Sequence, residues 1–131
     1  MNYASKDITE MLEDDRTLGL IYKTNLWRAK EPDSPDNVVT VYDTPSFPPD
    51  RTMDNENWYY RSAIQIRVRN NKYVDGMTLA RNIMDSLHAR AQETWNDTLY
   101  TVIQAVGEPA PIAWDENNRQ IIVINFNLQR R

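Results

Sequence analysis

The clearest pattern in the chain is an alternation of apolar and polar side chains from Tyr59 to Arg69. Alternate positions on one side are Tyr60, Ser62, Ile64, Ile66 and Val68. The positions between them are Tyr59, Arg61, Ala63, Gln65, Arg67 and Arg69. Because successive side chains of a strand point to opposite faces, this pattern predicts a half-buried strand with one wet face.

Two segments show helical spacing instead. Ser5–Thr17 carries Ile8, Met11 and Leu12 on one stripe, and Asp7 with Glu10 resembles a capping box at its start. Tyr73–Glu93 carries apolar side chains at three- and four-residue steps, namely Val74, Met77, Ala80, Met84, Leu87 and Ala91. The second pattern predicts a long helix that lies across one face of a sheet.

Four further segments are predicted strands. Asn25–Lys30 and Asn37–Asp43 flank a turn rich in proline and aspartate, so a hairpin is the simple inference. Leu99–Val106 and Gln120–Gln129 follow the long helix. Between those two, the proline-containing run 107–111 breaks the chain and residues 115–118 form a polar turn.

Thr44–Asn57 has a different composition. It holds three of the seven prolines and therefore lacks backbone donors that a sheet ladder needs. Loops of this length inside compact domains are usually functional or disordered. Phe47 and Met53 would be costly if permanently exposed, and we expect both to become buried on assembly.

The order of elements predicts an α+β fold. Helices grouped against strands favour a two-layer sandwich, with an antiparallel or mixed sheet of about five strands packed with two helices. At 131 residues, the expectation is a single domain spanning residues 1–131.

Composition narrows the classes of function. The chain has no cysteine, which excludes disulfides, thiolate zinc sites and cysteine nucleophiles. A net charge of −4 disfavours a primary role on DNA backbones. No run of apolar residues is long enough to span a membrane, and no secretory signal is visible, so we expect a cytoplasmic protein without membrane partners.

The search for catalytic chemistry finds little. His88 is the single histidine, and a lone helical histidine is more often a packed or surface residue than a base. The three glycines are scattered, so no phosphate-binding loop is present, and no metal-ligand spacing occurs. The acids at 13–15, 54–56 and 115–116 are read mainly as solvated or turn residues. We expect no catalytic, cofactor-binding or metal-binding residues, no cofactor, and no enzymatic activity.

The wet side of the 59–69 strand is the more informative surface. Arg61, Arg67 and Arg69 with Tyr59 could contact nucleic acid, but a solvated face or a protein partner fits the net negative charge better. Four Trp and seven Tyr suit half-wet interfaces. The candidate assembly interface comprises Phe47, Met53, Trp58, Tyr59, Arg61, Arg67 and Arg69.

A resemblance rests on the strand-to-helix junction. Ile64–Asn70, followed by a helix with Ala80, Ile83 and Leu87, resembles the small phage minor capsid or tail-completion proteins, a group similar to the tail terminators of long-tailed phages. The early helix, the proline-rich loop and the segment from Pro109 to Phe126 follow in the same order, so the resemblance covers roughly Ile8 to Leu128.

The resemblance implies a structural virion protein assembled in the host cytoplasm. Such subunits form a hexameric ring on the last ring of tail tube protein, stop tube polymerisation and present a surface to the head-completion or connector protein. Nucleic acid would meet the ring only as genome passing through its lumen. Three alternatives remain: another neck or head-completion protein, a nucleic-acid-binding module, and an uncharacterised enzyme.

Overall fold

The computed structural model describes residues 1–51 and 58–131. Within these residues there are two α-helices, α1 (Ala4–Asp14) and α2 (Tyr73–Leu87), and a 3-10 turn at Arg16–Leu18. The described strands are β1 (Leu26–Arg28), β2 (Val38–Thr44), β3 (Asp50–Arg51), β4 (Trp58–Asn70), β5 (Arg90–Trp95), β6 (Thr98–Ala105), β7 (Ala110–Trp114) and β8 (Gln120–Arg130).

The strands form one mixed sheet in the order β1-β2-β4-β8-β6-β5. β3 pairs with one end of β4, and β7 pairs with β8 beside β6. All pairings are antiparallel except that of β1 with β2. The predicted α+β fold is therefore confirmed, and the described residues contain eight strands where about five were expected.

The hydrophobic core lies between the helices and one face of this sheet. The predicted apolar side of β4 is confirmed, because Ile64, Ile66 and Val68 are fully buried. Each of these three stands opposite an apolar residue of β8, in the pairs Ile64–Phe126, Ile66–Ile124 and Val68–Ile122. Both helices contribute to the same cluster, through residues such as Ile8 and Leu12 of α1 and Ile83 and Leu87 of α2.

The predicted hairpin between β1 and β2 is wrong. The two strands run parallel, with Leu26 opposite Val39 and Arg28 opposite Val41. The connecting segment does not turn tightly but travels back along the sheet before β2 starts. Contacts to distant arginines, described below, hold it there, and turn chemistry alone does not reveal such contacts.

The predicted extension of the second helix to Glu93 is also wrong. α2 ends at Leu87, since His88 is extended with ψ 132° and Ala89 has a positive φ of 68°. The following residues form β5, which returns through a two-residue turn as β6. Asn96 and Asp97 in that turn have φ values of 51° and 63°, the left-handed geometry that tight hairpins prefer.

Two smaller corrections concern β7 and α1. Residues 110–114 form an edge strand although they contain Pro111, because proline is tolerated at a sheet edge. The capping box is wrong: the N-cap of α1 is Tyr3, so Asp7 lies inside the helix. α1 ends at Asp14, earlier than the predicted Thr17.

Candidate assembly interface

The sheet face opposite the helices is the first candidate surface, and we call it the open face. Its centre is a polar network across β2, β4 and β8. Gln65 donates from Nε2 to Asn125 Oδ1 (3.1 Å) and accepts at Oε1 from Arg67 Nε (3.2 Å). The Arg67 guanidinium also lies 5.5 Å from the ring centre of Tyr42. These contacts fix side chains that would otherwise be mobile on an exposed strand.

Tyr59 makes a separate set of polar contacts that joins β4 to β8 and β6. Its hydroxyl donates to Gln129 Oε1 (2.6 Å) and lies 2.8 Å from Thr101 Oγ1. The ring is half-buried. Tyr59 therefore presents an ordered amphipathic surface, as the sequence predicted for this side of the strand.

Arg69 departs from the prediction that it shares the exposed face. It is only 3% exposed, because the segment 31–37, which we call the strap, covers this corner of the open face. Arg69 donates to three strap carbonyls, those of Asp33 (3.3 Å), Pro35 (2.7 Å) and Asp36 (3.1 Å). Its position off the exposed surface gives it a structural role in holding the strap.

A second buried arginine, Arg119, also binds the strap. Arg119, just before β8, donates to the Asp33 carbonyl and pairs with Asp36 (3.4 Å) and Asp115 (2.7 Å). Partial burial raises the pKa of Asp115, but hydrogen bonds from the Arg119 backbone and side chain outweigh it and leave that pKa below its usual value. No pattern in the sequence singles out Arg119, since its strap partners Asp33 and Asp36 lie more than eighty positions away along the chain.

The remaining arginines carry weak support for a nucleic-acid surface. Arg61 pairs with Asp50 (3.1 Å), and both side chains are more than half exposed. Arg67 is engaged by Gln65 and Tyr42 as described. Because Arg69 is buried, only Arg61 and Arg67 of the three predicted arginines remain accessible, and the charge of Arg61 is already paired with Asp50. The face is polar rather than strongly basic.

The proline-rich segment lies beside this face. Phe47 is 77% exposed. It lines a groove of about 220 Å³ together with Arg61, Ala63 and Leu128. Met53 lies outside the described residues, and only the backbone of Trp58 is described. The burial of Phe47 and Met53 on assembly and the place of Trp58 in the interface stay predictions.

Sequence reasoning missed several exposed apolar side chains at the edges of the sheet. Ile21 is 56% exposed beside β1, and Trp114 is equally exposed at the end of β7, near the exposed Ile112 and Val106. The prolines at 109 and 111 were the available signal for β7, because prolines in a strand-like run indicate an edge.

The described residues offer no metal-binding group of three or more His, Cys, Asp or Glu. His88 is exposed at the end of α2 and accepts a hydrogen bond at Nδ1 from the Ala105 N–H (3.0 Å). In the same part of the chain, neither helix is long and apolar enough to cross a bilayer.

Comparisons with known proteins give the family. A chain from the structure described as "Virion of native gene transfer agent (GTA) particle" has the same fold, with a TM-score of 0.68, 14% sequence identity and 98% of both chains covered. No curated protein sequence matches the chain. The profile of the family described as "Bacteriophage tail terminator protein" matches residues 10–131. The resemblance inferred from the strand-to-helix junction is thereby confirmed, and the chain belongs to the bacteriophage tail terminator family.

Proposed function

We propose that the chain is a structural virion subunit that closes the tail tube. Six copies form a ring on the last ring of tube protein, stop its polymerisation and present a surface to the head-completion or connector protein. The observation that carries this proposal is the family match over residues 10–131. The whole-chain fold similarity to a chain of a virion particle supports it.

The proposed mechanism is steric and involves no bond chemistry or cofactor. A ring subunit needs a contact surface on each side for its neighbours and two axial faces for its partners. One axial face would match the end of the tube, and the other would lack the surface that the next ring of tube protein needs. The hydrophobic core between the helices and one sheet face is consistent with a subunit that keeps its shape in such a ring.

The assembly contacts would come from the proline-rich segment and the open face. Phe47 is a large apolar side chain in solvent, so its burial against tube protein or a neighbour would gain hydrophobic free energy. Tyr59, Arg61 and Arg67 would add ordered polar contacts, and Met53 and Trp58 would extend the apolar part. Arg69 would act indirectly, by holding the strap.

The test compares tails assembled with and without the protein. Tail tube protein polymerised alone should give tubes of unlimited length, whereas added chain should stop growth and leave a six-fold ring at one end in negative-stain images. Replacement of residues 45–57 by a glycine-serine linker of the same length should leave a folded protein that no longer stops growth. Normal tube lengths with that replacement would count against the role of the segment.

Another neck component remains the alternative of the same class. It would bind the portal or connector side of the junction and would not cap free tube ends, so the same images distinguish the two. A nucleic-acid-binding module would bind DNA with an affinity that falls steeply with salt. Absence of binding at low salt would remove that reading.

A further inference from the structure

We propose that neighbouring subunits of the ring join through two oppositely charged patches at opposite edges of the sheet. The β1 patch consists of Ile21, Lys23, Arg28 and Lys30. The β7 patch consists of Val106, Glu108, Ile112, Trp114 and Glu116. This inference rests on the proposed ring and names the surfaces that close it, the partner being a second copy of this chain.

The topology places β1 and β7, the centres of the two patches, on opposite sides of the sheet. β4 occupies one edge of β8 along residues 120–130, so β7 must use the other edge. β1 lies beyond β2 on the far side of β4. Four inter-strand steps of about 4.8 Å separate β1 from β7. A head-to-tail contact needs this arrangement, because each subunit must offer different surfaces to its two neighbours.

The β1 patch is basic around an apolar centre. Ile21 is exposed, and Lys23 and Lys30 are exposed beside it. The Arg28 guanidinium lies 4.2 Å from the ring centre of Tyr22, which orders its charge at the surface. Glu13 lies close to this patch, where its carboxylate accepts the Tyr22 N–H (2.7 Å). Glu31 follows Lys30 and is a second acid, paired with Arg69 (3.9 Å). Three cations against two acids leave the patch positive.

The β7 patch has the reverse charge. Every residue of β7 is exposed, and Ile112 and Trp114 give it an apolar centre. Glu108 and Glu116 flank that centre and are exposed. The strap adds the exposed Asp33, which lines a cleft of about 420 Å³ together with Trp114 and Glu116. Arg69 and Arg119 also line this cleft, but both are buried and paired within the subunit, so four acids against two cations leave the cleft negative. Tryptophan at such a centre is the residue type that dominates interface energies.

The contact would be made by side chains and would not continue the sheet. The backbone at the outer edge of β1 is already used, since the Lys23 N–H donates to the Leu26 carbonyl (2.8 Å) and the Leu26 N–H to the Ile21 carbonyl (3.2 Å). Pro109 and Pro111 remove donors at β7. Edges blunted in this way resist unlimited strand addition.

The charges of the two patches favour contact of a β1 patch with a β7 patch over contact of two identical patches. Two β1 patches would bring six cations together, and two β7 patches would bring acids together, both of which are costly. One β1 patch against one β7 patch pairs opposite charges around Ile21 and Trp114. The apolar centres are then buried, and the repeated head-to-tail contact can close into a ring.

Cross-linking tests the pairing directly, because the chain contains no cysteine. Ile21→Cys and Trp114→Cys subunits are mixed, assembled on tail tubes and treated with a bis-maleimide. The expected product is a dimer that joins position 21 of one subunit to position 114 of another. Tyr73→Cys, on the exposed start of α2, is the control and should give no dimer with either variant.

Charge reversal provides an independent arm. Lys23→Glu alone, or Glu116→Lys alone, should lower the fraction of subunits in rings by roughly tenfold, because each creates a like-charge contact. The two reversed subunits mixed together should recover rings. Lys72→Glu changes the net charge equally outside both patches and should leave ring formation unchanged.

The outcomes separate this inference from the proposed function. Rings that cap tubes but give no 21–114 product, only 21–21 or 114–114 products, or cross-links from position 114 to tube protein, overturn the edge pairing and leave the ring proposal standing. Failure of the unmodified chain to form any ring on tubes overturns both. The 21–114 product together with recovery in the mixed charge reversal supports the inference.

Discussion

Asp7 shows how a single buried acid can join two layers of the fold. It is fully buried in α1, where it accepts a short hydrogen bond from the Tyr100 hydroxyl of β6 and another from Asn96 Nδ2 (2.7 Å). Burial, followed by the nearby Asp7 carboxylate, raises the pKa of Tyr100 far above its ordinary value, so the hydroxyl remains a donor. The pair therefore ties the helix layer to the sheet.

Tyr100→Phe should lower the free energy of unfolding by about 1.5–3 kcal/mol, because it removes a hydrogen bond to a buried charged group. Urea denaturation at neutral pH measures this change. Tyr3→Phe deletes the same atom from an exposed ring and is the matched control, expected to leave stability nearly unchanged. Equal effects of the two substitutions would contradict the assigned role of the buried pair.

Asp15 should make stability depend on pH at the acid end. Hydrogen bonds from the Thr17 hydroxyl (2.6 Å) and the Ser86 hydroxyl (2.7 Å) lower its pKa below the ordinary value. A depressed carboxyl pKa contributes stability that is present above the unfolded-state pKa and is lost as pH falls through the folded-state pKa.

Asp15→Asn should therefore be less stable than the parent at pH 7, and the difference should shrink as the pH falls through the depressed folded-state pKa of Asp15, where both chains become neutral at this position. Urea midpoints measured from neutral to acidic pH test this. A difference that stays constant over the whole range would show that the carboxylate charge is not the cause.

Arg69 and Arg119, the two buried arginines whose roles the sequence could not predict, share one property: the strap carbonyls that hold them are distant along the chain. Arg69 reads as one more polar position in an alternating strand, and that alternation correctly places it on the open face. Its burial depends on strap carbonyls more than thirty positions away. Phe47 was the easier case, because an apolar residue among prolines is conspicuous without knowledge of the fold, and it is exposed in this structure.

At the scale of elements, hydrophobic periodicity correctly predicts the helices and strands that bury one face. It fails where the apolar spacing of one element continues by chance into the next. β4, β8 and the start of α2 follow from alternation or helical spacing alone. The extension of α2 failed because Ala91 continues the helical stripe, although it lies in β5 and is exposed. The predicted hairpin between β1 and β2 was wrong because the turn residues of the strap suit a hairpin as well as the longer connection between parallel strands.

Gly76 gives an element-scale prediction in which two effects oppose each other. Intrinsic helix propensity favours alanine over glycine by about 1 kcal/mol. In this fold, however, a Cβ at position 76 would lie 2.9 Å from Ile122 Cδ1 and 3.0 Å from Asn70 Cβ. Glycine occupies position 76 because α2 approaches the sheet closely there and leaves no room for a Cβ.

Gly76→Ala should accordingly lower the free energy of unfolding by about 1–2 kcal/mol, since overpacking outweighs the gain in propensity. Thr78→Ala, at an exposed position two residues later, should be neutral or slightly stabilising in the same urea titration. Stabilisation by Gly76→Ala would show that β8 and the end of β4 move aside at little cost.

At the scale of the whole molecule, the two phenylalanines occupy opposite environments, one in the core and one on the surface. Phe126 is fully buried in the core opposite Ile64, whereas Phe47 lies in solvent beside the open face. The first holds the fold together and the second is available to a partner. We therefore expect stability and partner binding to depend on different residues, so that a substitution can remove partner binding without unfolding the chain.

Phe126→Ala should cost about 3–5 kcal/mol of unfolding free energy through the cavity it leaves. Phe47→Ala should change stability by no more than about 0.5 kcal/mol, as expected for an exposed position. Under the proposed function, Phe47→Ala should nevertheless abolish or weaken the capping of tail tubes, seen as longer tubes in negative-stain images. Normal capping by Phe47→Ala would remove this side chain from the interface, while a large loss of stability would mean that it packs against its own chain.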